Sequence, residues 1–399
     1  MDKAKHYRAH LDPFAEDPVL NDSYWDIMRD LRENCPVAHS DARGGFWILT
    51  RYEDVLAADR DWETFCSNKG VGVVAPTEGT PRLPPIEVDG PDHREWRRFL
   101  NPHFTHEKMS MLAPPAAGIA NHLIDKFEDA GECDLVEDYA RAFSTASFFE
   151  LMIGTDRSEL PRVLDITRRA IFERGDPVKV QEGRAELAAW VRNKLDQRRD
   201  EEPQGDLVDV ILRETRAGSP LSADEQVQLL SMLIGAAMDT TTTAISIICR
   251  HLAENAEVRE RLAGDPSQIG SSVDEFLRLE SPVTHLARVT TREVVVGETT
   301  IPEGERVALY FSAANRDPVE FENPDTLQFD RLSNRHLSFG AGPHRCLGVH
   351  FARMQIEVAI ATLLSRIPDF RVRLGSSVPY YTMVPRGPIE IPVEFASHG

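Results

Sequence analysis

FGAGPHRCLG, residues 339–348, places two glycines and one cysteine directly before an apolar stretch that predicts a helix from about Leu347 to Ile367. Glycine lets the backbone turn tightly and approach a flat, bulky group. A cysteine at the start of a helix is favoured as a thiolate, because backbone N–H groups and the helix dipole stabilise its charge. The segment predicts a ligand thiolate at Cys346, with Phe339 keeping water from the sulfur. An inert buried thiol is the alternative for a cysteine considered alone.

A long helix is predicted upstream of this segment. Ser222 and Glu225 form the S-x-x-E pattern of a capping box, and the helix they begin runs to Ala253, about 48 Å. It is apolar on nearly every face from Leu229 to Ile248, which predicts a position in the middle of the protein. A carboxylate at Asp239, within this run, is costly unless it has a partner or a function.

Short strands accompany the helices elsewhere. The run GFWILT at Gly45–Thr50 predicts an apolar strand, and a helix follows from about Tyr52. Gly70–Pro91 is rich in glycine and proline and predicts a long irregular loop, of the kind that often binds ligands. Helical patterns dominate from His93 to about Gln268, and short hairpin strands follow at 287–310. The fold class predicted is mainly α with a minor β region.

Composition and charge narrow the function. The chain has 399 residues and a formal net charge of −20, which argues against binding to nucleic acid and against a basic membrane-binding surface. The N-terminus lacks the apolar segment of a signal peptide, and no run of 18 apolar residues predicts a membrane span. The five cysteines are widely spaced without a C-x-x-C pair, so we expect no disulfide framework and a cytoplasmic protein.

The Cys346 segment resembles the haem-binding signature of the cytochrome P450 family, F-G-x-G-x-H-x-C-x-G, at every specified position. The resemblance implies a cytochrome P450 fold, with a long central helix over haem b and Cys346 as the ligand to the iron. It extends in the expected order from about residue 10 to the C-terminus. The chain is therefore expected to form one domain, 1–399, with β-containing parts at about 36–60 and 285–310 and a helical core at about 93–280 and 347–367.

The long helix carries a second match. Ala236-Ala237-Met238-Asp239-Thr240-Thr241 resembles the family's oxygen-activation motif, although Ala237 stands where the family usually has glycine. The resemblance implies that Asp239 relays protons from solvent to Thr240, which takes part in oxygen activation. The alternative is that the threonines only hydrogen-bond back to helix carbonyls.

Haem carries two propionates, and buried anions need cationic partners. His93 and Arg97 lie four residues apart and resemble the family's H-x-x-x-R contact, and Arg288 and His344 occupy further family positions. The haem-binding residues implied in this way are His93, Arg97, Arg288, Phe339, Gly340, Gly342, His344, Cys346 and Gly348.

A third set of residues is implied to be structural. Glu275 and Arg278 match the E-x-x-R motif of the family, and Arg331 occupies the position of an arginine that joins this pair. The lining of an apolar substrate pocket is also implied by family analogy. Its expected members are Val73, Val74, Ile86, Met232, Ala236, Val283, Leu286 and Met383.

These features, with the resemblance to the family, predict a haem-thiolate monooxygenase that oxidises a mostly hydrophobic small molecule. An accessory role in secondary metabolism is implied by the family resemblance alone. Electrons are expected from NAD(P)H through a separate ferredoxin or flavodoxin and its reductase, which dock near Arg335, His336, His344 and Arg345. A peroxide-driven peroxygenase and a non-catalytic haem-thiolate sensor are the alternatives. Neither alternative needs the Asp239–Thr240 pair.

Overall fold

The computed structural model describes residues 3–15, 17–172, 177–381 and 384–397. These residues are mainly helical, which confirms the fold class predicted from the sequence. In chain order the α-helices are α1 (Lys3–His10), α2 (Pro18–Asp22), α3 (Tyr24–Asn34), α4 (Tyr52–Arg60), α5 (Gly90–Leu100), α6 (His106–Ser110), α7 (Ala113–Ile124), α8 (Ala142–Ile153), α9 (Leu160–Thr167), α10 (Pro177–Arg199), α11 (Leu207–Arg213), α12 (Ala223–Glu254), α13 (Ala256–Gly264), α14 (Ile269–Glu280), α15 (Phe311–Ala314) and α16 (Val349–Arg366). Two π-helical segments, Leu135–Arg141 and Arg168–Phe172, precede α8 and follow α9.

Short strands form the minor β part. They are β1 (Val37–Ser40), β2 (Phe46–Leu49), β3 (Phe65–Cys66), β4 (Glu132–Asp134), β5 (Thr215–Arg216), β6 (Ser219–Pro220), β7 (Leu286–Thr290), β8 (Val294–Val296), β9 (Thr299–Ile301), β10 (Arg306–Leu309), β11 (Phe370–Val372) and β12 (Pro392–Phe395). The largest sheet has the strand order β1-β2-β10-β7-β3, and a three-stranded sheet has the order β11-β12-β4. The pairs β5–β6 and β8–β9 are separate hairpins.

The chain separates into two compact units. Unit 1 comprises Met1–Arg94, Gly270–Leu347 and Pro379–Gly387, and it contains the five-stranded sheet. Unit 2 comprises Glu95–Ile269, Gly348–Val378 and Pro388–Gly399, and it contains α12 and the three-stranded sheet. The sequence-based expectation of one domain, 1–399, stays a prediction.

An inner strand of the five-stranded sheet, β2, explains the uninterrupted apolar run GFWILT. In β2, Phe46 and Ile48 pack into one hydrophobic cluster, whereas Trp47 and Leu49 pack into another. Successive side chains of a strand point to opposite faces, so both faces of the sheet are covered. β2 pairs antiparallel with β1 and parallel with β10.

The long helix α12 organises unit 2. Its predicted capping box is present, because Ser222 Oγ accepts from the Glu225 N–H and the Glu225 side chain accepts from the Ser222 N–H. α12 packs against α8, α10 and α16. By length and composition it could cross a membrane, but 67% of its most apolar 18-residue window is buried inside the protein.

Candidate active site

The cysteine segment forms a tight, hydrogen-bonded loop in unit 1. The Cys346 N–H donates to Phe339 O at 2.8 Å, and the Gly340 N–H donates to Leu337 O at 2.8 Å. Cys346 is partly exposed and forms no disulfide. The helix that follows begins at Val349, two residues later than the sequence predicts. The loop, and not the first helical turn, therefore holds Cys346.

Two glycines let this loop lie against the C-terminal end of α4. Gly340 and Gly342 have φ values of +66° and +61°. A Cβ atom on Gly342 would lie 2.9 Å from both Arg60 Cα and Asp59 O, which is closer than real Cβ contacts. Backbone atoms cannot move aside cheaply, so glycine is required here for its size as well as its conformation.

Gly342→Ala is therefore expected to displace the cysteine loop and reduce haem content. Gly297→Ala is the matched control, because Gly297 has φ +58° but a Cβ atom on it would meet nothing within 4 Å. The control should cost only the strain of a left-handed residue, about 1–2 kcal/mol, and keep its haem. Haem absorbance relative to protein and thermal unfolding measure both effects. Equal haem content in the two variants would show that the close approach is unimportant.

A buried carboxylate that sequence reasoning missed, Asp59, joins this loop to Arg288. Arg288 Nη2 lies 2.7 Å from Asp59 Oδ1, and the Ala341 N–H donates to Asp59 Oδ2 at 2.6 Å. Both charged residues are nearly inaccessible to solvent. Arg288 also donates through Nη1 to Ala287 O. The predicted propionate arginine is thus held in a fixed orientation within unit 1.

A second missed carboxylate, Asp89, lies beside two predicted haem residues. Its Oδ1 is 3.0 Å from His344 Nε2, and the centroids of the His344 and His93 rings are 4.1 Å apart. Burial opposes ionisation of Asp89, but hydrogen bonds from His344 and from the backbone N–H groups of Asn68 and Ser67 outweigh burial and lower its pKa. Unit 1 therefore brings His93 and His344 together in a buried pair.

Arg97 lies one turn beyond His93 on α5 and is half-buried. Phe339 is also half-buried, with its ring centroid 5.8 Å from that of His336. Gly348 occupies the N-cap position of α16.

These side chains fit the group that the sequence implies. An iron porphyrin presents one metal that takes a thiolate and two propionates that need cationic or N–H donors. Cys346 supplies the thiol, and His93, His344 and Arg288 are buried nitrogen donors in the same unit. In the described ranges no group of three His, Cys, Asp or Glu could hold a metal ion.

The predicted relay residues lie on α12 of unit 2. Asp239 and Thr240 are both partly exposed, whereas Thr241, Thr242 and Thr243 are buried. Thr240 Oγ1 donates to Ala236 O at 2.9 Å, as the alternative interpretation expects. Because its proton is used in this bond, the Thr240 oxygen can act only as an acceptor toward a further group. The helix is α-helical through Ala237, where the family usually has glycine.

The residues implied to be structural are brought together in unit 1. Glu275 accepts from Arg278 Nε at 2.8 Å and from Arg331 Nε at 3.0 Å. The Gln328 N–H and the Asn334 side chain also donate to it. Glu275 and Arg278 are both fully buried. The cluster is a buried ion-pair network that joins α14 to the irregular segment before the cysteine loop.

The residues expected to line the substrate pocket differ in exposure. Val73 is buried in a hydrophobic cluster of unit 1 with Ala287 and Tyr310, whereas Val74 is 49% exposed. Met383 lies outside the described residues. The half-buried members are Ile86, Met232, Val283 and Leu286, and Ala236 is exposed.

A buried histidine, His285, directly precedes the pocket candidate Leu286 in the sequence. His285 stacks on Tyr310 at 4.5 Å, and its Nδ1 lies 3.0 Å from Thr284 Oγ1. Burial lowers the pKa of His285 to about 4, from 6.5. The ring is therefore neutral at neutral pH.

Because the pKa of His285 is lowered, we expect the folded protein to lose stability in mild acid. Between pH 6.5 and about 4 the unfolded chain binds this proton and the folded chain does not, so stability falls as the pH drops through that window. The loss is about 3 kcal/mol by the end of the window. His285→Phe keeps an aromatic ring on Tyr310 and should remove this part of the pH dependence in urea unfolding. An unchanged pH profile would contradict the assignment.

Comparisons with known proteins identify the family of this chain. The family model described as Cytochrome P450 matches residues 160–379. The cyclomarin C epoxidase CymV of Salinispora arenicola is 31% identical over 387 residues, covering 93% of this chain and 95% of that protein. The steroid C26-monooxygenase of Mycolicibacterium smegmatis is 31% identical over 376 residues, covering 93% and 92%. The structure of the Bacillus subtilis 168 cytochrome P450 PksS matches with a TM-score of 0.87 at 25% identity, covering 97% of this chain and 100% of that one.

These two relatives are nearly a third identical to this chain along almost its whole length, and the cysteine loop meets every position of the haem-binding signature. This chain therefore belongs to the cytochrome P450 family and is a cytochrome P450 monooxygenase.

Proposed function

We propose that this chain uses O₂ and two electrons from a separate redox partner to insert one oxygen atom into a hydrophobic small molecule, while the other atom leaves as water. The observation that carries the proposal is the Cys346 loop, which lies in the same unit as the buried donors His93, His344 and Arg288. When bound, a haem with a thiolate ligand supplies the activation of O₂, because the thiolate favours O–O cleavage.

The chain's own residues have separate roles in this proposal. Cys346 provides the sulfur ligand, and His93, Arg97, Arg288 and His344 bind the propionates. O–O cleavage consumes two protons, which have to arrive without general entry of water. The Asp239 carboxylate would take up these protons from solvent and pass them to Thr240 Oγ1. The Thr240 hydroxyl, which donates to Ala236 O in this structure, would release its own proton in exchange for each one that it accepts.

The relatives and the apolar residues implied for the pocket support a proposal for the substrate class. Two of the relatives are named for a cyclomarin and for steroids. We accordingly propose a mostly hydrophobic organic substrate, a role in secondary metabolism and a cytoplasmic location.

Electrons are proposed to come from NAD(P)H through a ferredoxin or flavodoxin and its reductase. Of the four residues expected at the docking face, His336 and His344 have buried side chains and cannot contact a partner directly. Arg335 is 69% exposed at its side chain and pairs with Glu320, and Arg345 is exposed. The two arginines are therefore the better candidates for contact with an acidic electron carrier.

Thr240→Ala tests the proton relay. The variant should keep consuming reductant but convert about tenfold or more less of it into product, because proton delivery slows while electron delivery does not. Thr240→Ser is the matched control, since it keeps the hydroxyl and should stay near the wild-type ratio. Product formed per NADH consumed, with a ferredoxin system and a substrate found by a spin-state shift of the Soret band, is the measurement.

Unchanged coupling in Thr240→Ala would show that Thr240 has no part in proton delivery. Parallel assays with peroxide alone separate the proposed function from a peroxygenase, because a peroxygenase would be faster with peroxide than with the electron donors. A protein that binds haem but turns over with neither would be the non-catalytic sensor.

A further inference from the structure

Asp59, the penultimate residue of α4, is a buried carboxylate in an unfavourable position. It is 2% exposed. The C-terminal end of a helix carries partial negative charge, so an anion there is doubly unfavourable: it loses hydration and it opposes the helix dipole. A buried charge in such a place requires strong partners.

The two carboxylate oxygens of Asp59 contact two different structural elements. Oδ1 pairs with Arg288 Nη2 of β7 at 2.7 Å, and Oδ2 accepts from the Ala341 N–H of the cysteine loop at 2.6 Å. The second contact depends on the glycines on either side of Ala341, since a Cβ on Gly340 would lie 3.2 Å from Asp59 Oδ2. One carboxylate thus ties a predicted propionate arginine to the loop that ends in Cys346.

Asp59 differs in this from two other buried carboxylates of unit 1. Glu275 is enclosed by Arg278 and Arg331 and belongs to the ion-pair network on α14. Asp317 is also buried, but it accepts from the Tyr52 N–H at the N-terminal end of α4, at the opposite end of that helix from Asp59. Of these three carboxylates, Asp59 is the one that joins a residue of the cofactor-binding set to the ligand loop.

We propose that Asp59 is a positioning residue of the haem site, which fixes both Arg288 and the Cys346 loop and so determines how firmly haem is held and at what potential its iron is reduced. The inference rests on the proposed function, since it requires haem at Cys346. Loss of the carboxylate charge frees Arg288 and removes an anion that favours the more positive ferric state. Both effects shift the reduction potential in the positive direction.

The test uses the purified holoprotein with Asp59→Asn, which keeps the size of the side chain and removes its charge. Asp317→Asn is the matched control, because it neutralises a buried carboxylate that contacts the same helix. Haem transfer to excess apomyoglobin and a spectroelectrochemical titration are the two readouts. We expect Asp59→Asn to lose haem about tenfold faster or more, the scale of one lost charged hydrogen bond, with a more positive potential. The control should stay near wild type in both readouts even if it unfolds more easily.

Asp59→Glu provides a second variant should Asp59→Asn fail to fold. It keeps the charge but displaces it, so its potential should stay near that of the wild type while haem is lost faster. Wild-type haem loss and potential in Asp59→Asn, or wild-type haem loss in Asp59→Glu, would overturn the positioning role while leaving the proposed function intact. Wild-type protein without haem would instead overturn both.

Discussion

Cys346→Ser is expected to abolish oxidation of substrate driven by NAD(P)H and a redox partner. A serine hydroxyl is not ionised near neutral pH, so the variant cannot offer iron the electron-rich ligand that favours O–O cleavage. The loop should keep its shape, because the backbone N–H groups of Cys346 and Gly340 donate to backbone carbonyls, which the substitution leaves in place. Product formation under saturating reductant is the measurement, and we expect it to fall to the background of the reductase system.

Cys35→Ser is the matched control for this experiment. Cys35 is, like Cys346, partly exposed and outside any disulfide. It packs at the edge of a hydrophobic cluster of unit 1 that contains no predicted haem ligand, so its variant should retain full activity. Product formation by Cys346→Ser at the rate of the Cys35→Ser control would contradict the assignment of the ligand.

Glu275→Ala is expected to be the most destabilising single substitution considered for this chain. It leaves the guanidinium groups of Arg278 and Arg331 buried without a carboxylate, and it removes an acceptor from the Gln328 N–H. Breaking a buried ion pair by removal of one partner costs about 3–5 kcal/mol. Because a folded protein is stable by only about 5–15 kcal/mol, this loss takes a large share of the total, and the variant should unfold at a much lower urea concentration than the wild type.

The comparison for this prediction is Glu320→Gln. Glu320 also pairs with an arginine of unit 1, but Arg335 is 69% exposed at its side chain. Exposed ion pairs contribute about 1 kcal/mol or less, so this variant should unfold close to the wild type in urea. A similar, small loss of unfolding free energy in both variants would show that the Glu275 ion-pair network is not structural.

Local patterns made several elements predictable from the sequence. The capping box of α12 and the start of α4 at Tyr52 lie where the pattern predicts them, because each depends on residues within one or two helical turns. The apolar run of β2 is explained by burial on both faces. The hairpin of β8 and β9 turns at Gly297, as expected from a glycine that tolerates positive φ.

Long-range contacts could not be predicted in the same way. Asp59 is one aspartate among many charged residues, and only the folded chain shows that it meets Arg288, 229 positions away, and Ala341. Asp89 likewise could be recognised as part of the candidate site only from its contact with His344 in the folded chain. The close approach of Gly342 to α4 depends on the path of two distant segments. The family signature named the glycines and the cysteine, but the packing explains why larger residues would not fit.

The central claim, that Cys346 is the thiolate ligand of a bound haem, is tested most directly by the absorption spectrum of the ferrous carbon monoxide complex. Wild-type protein is expected to show the strongly red-shifted Soret band of a thiolate-ligated haem, and Cys346→Ser should lack that band whether or not it keeps haem. Purified wild-type protein without haem absorbance, or a Cys346→Ser variant with the same red-shifted band, would contradict the account.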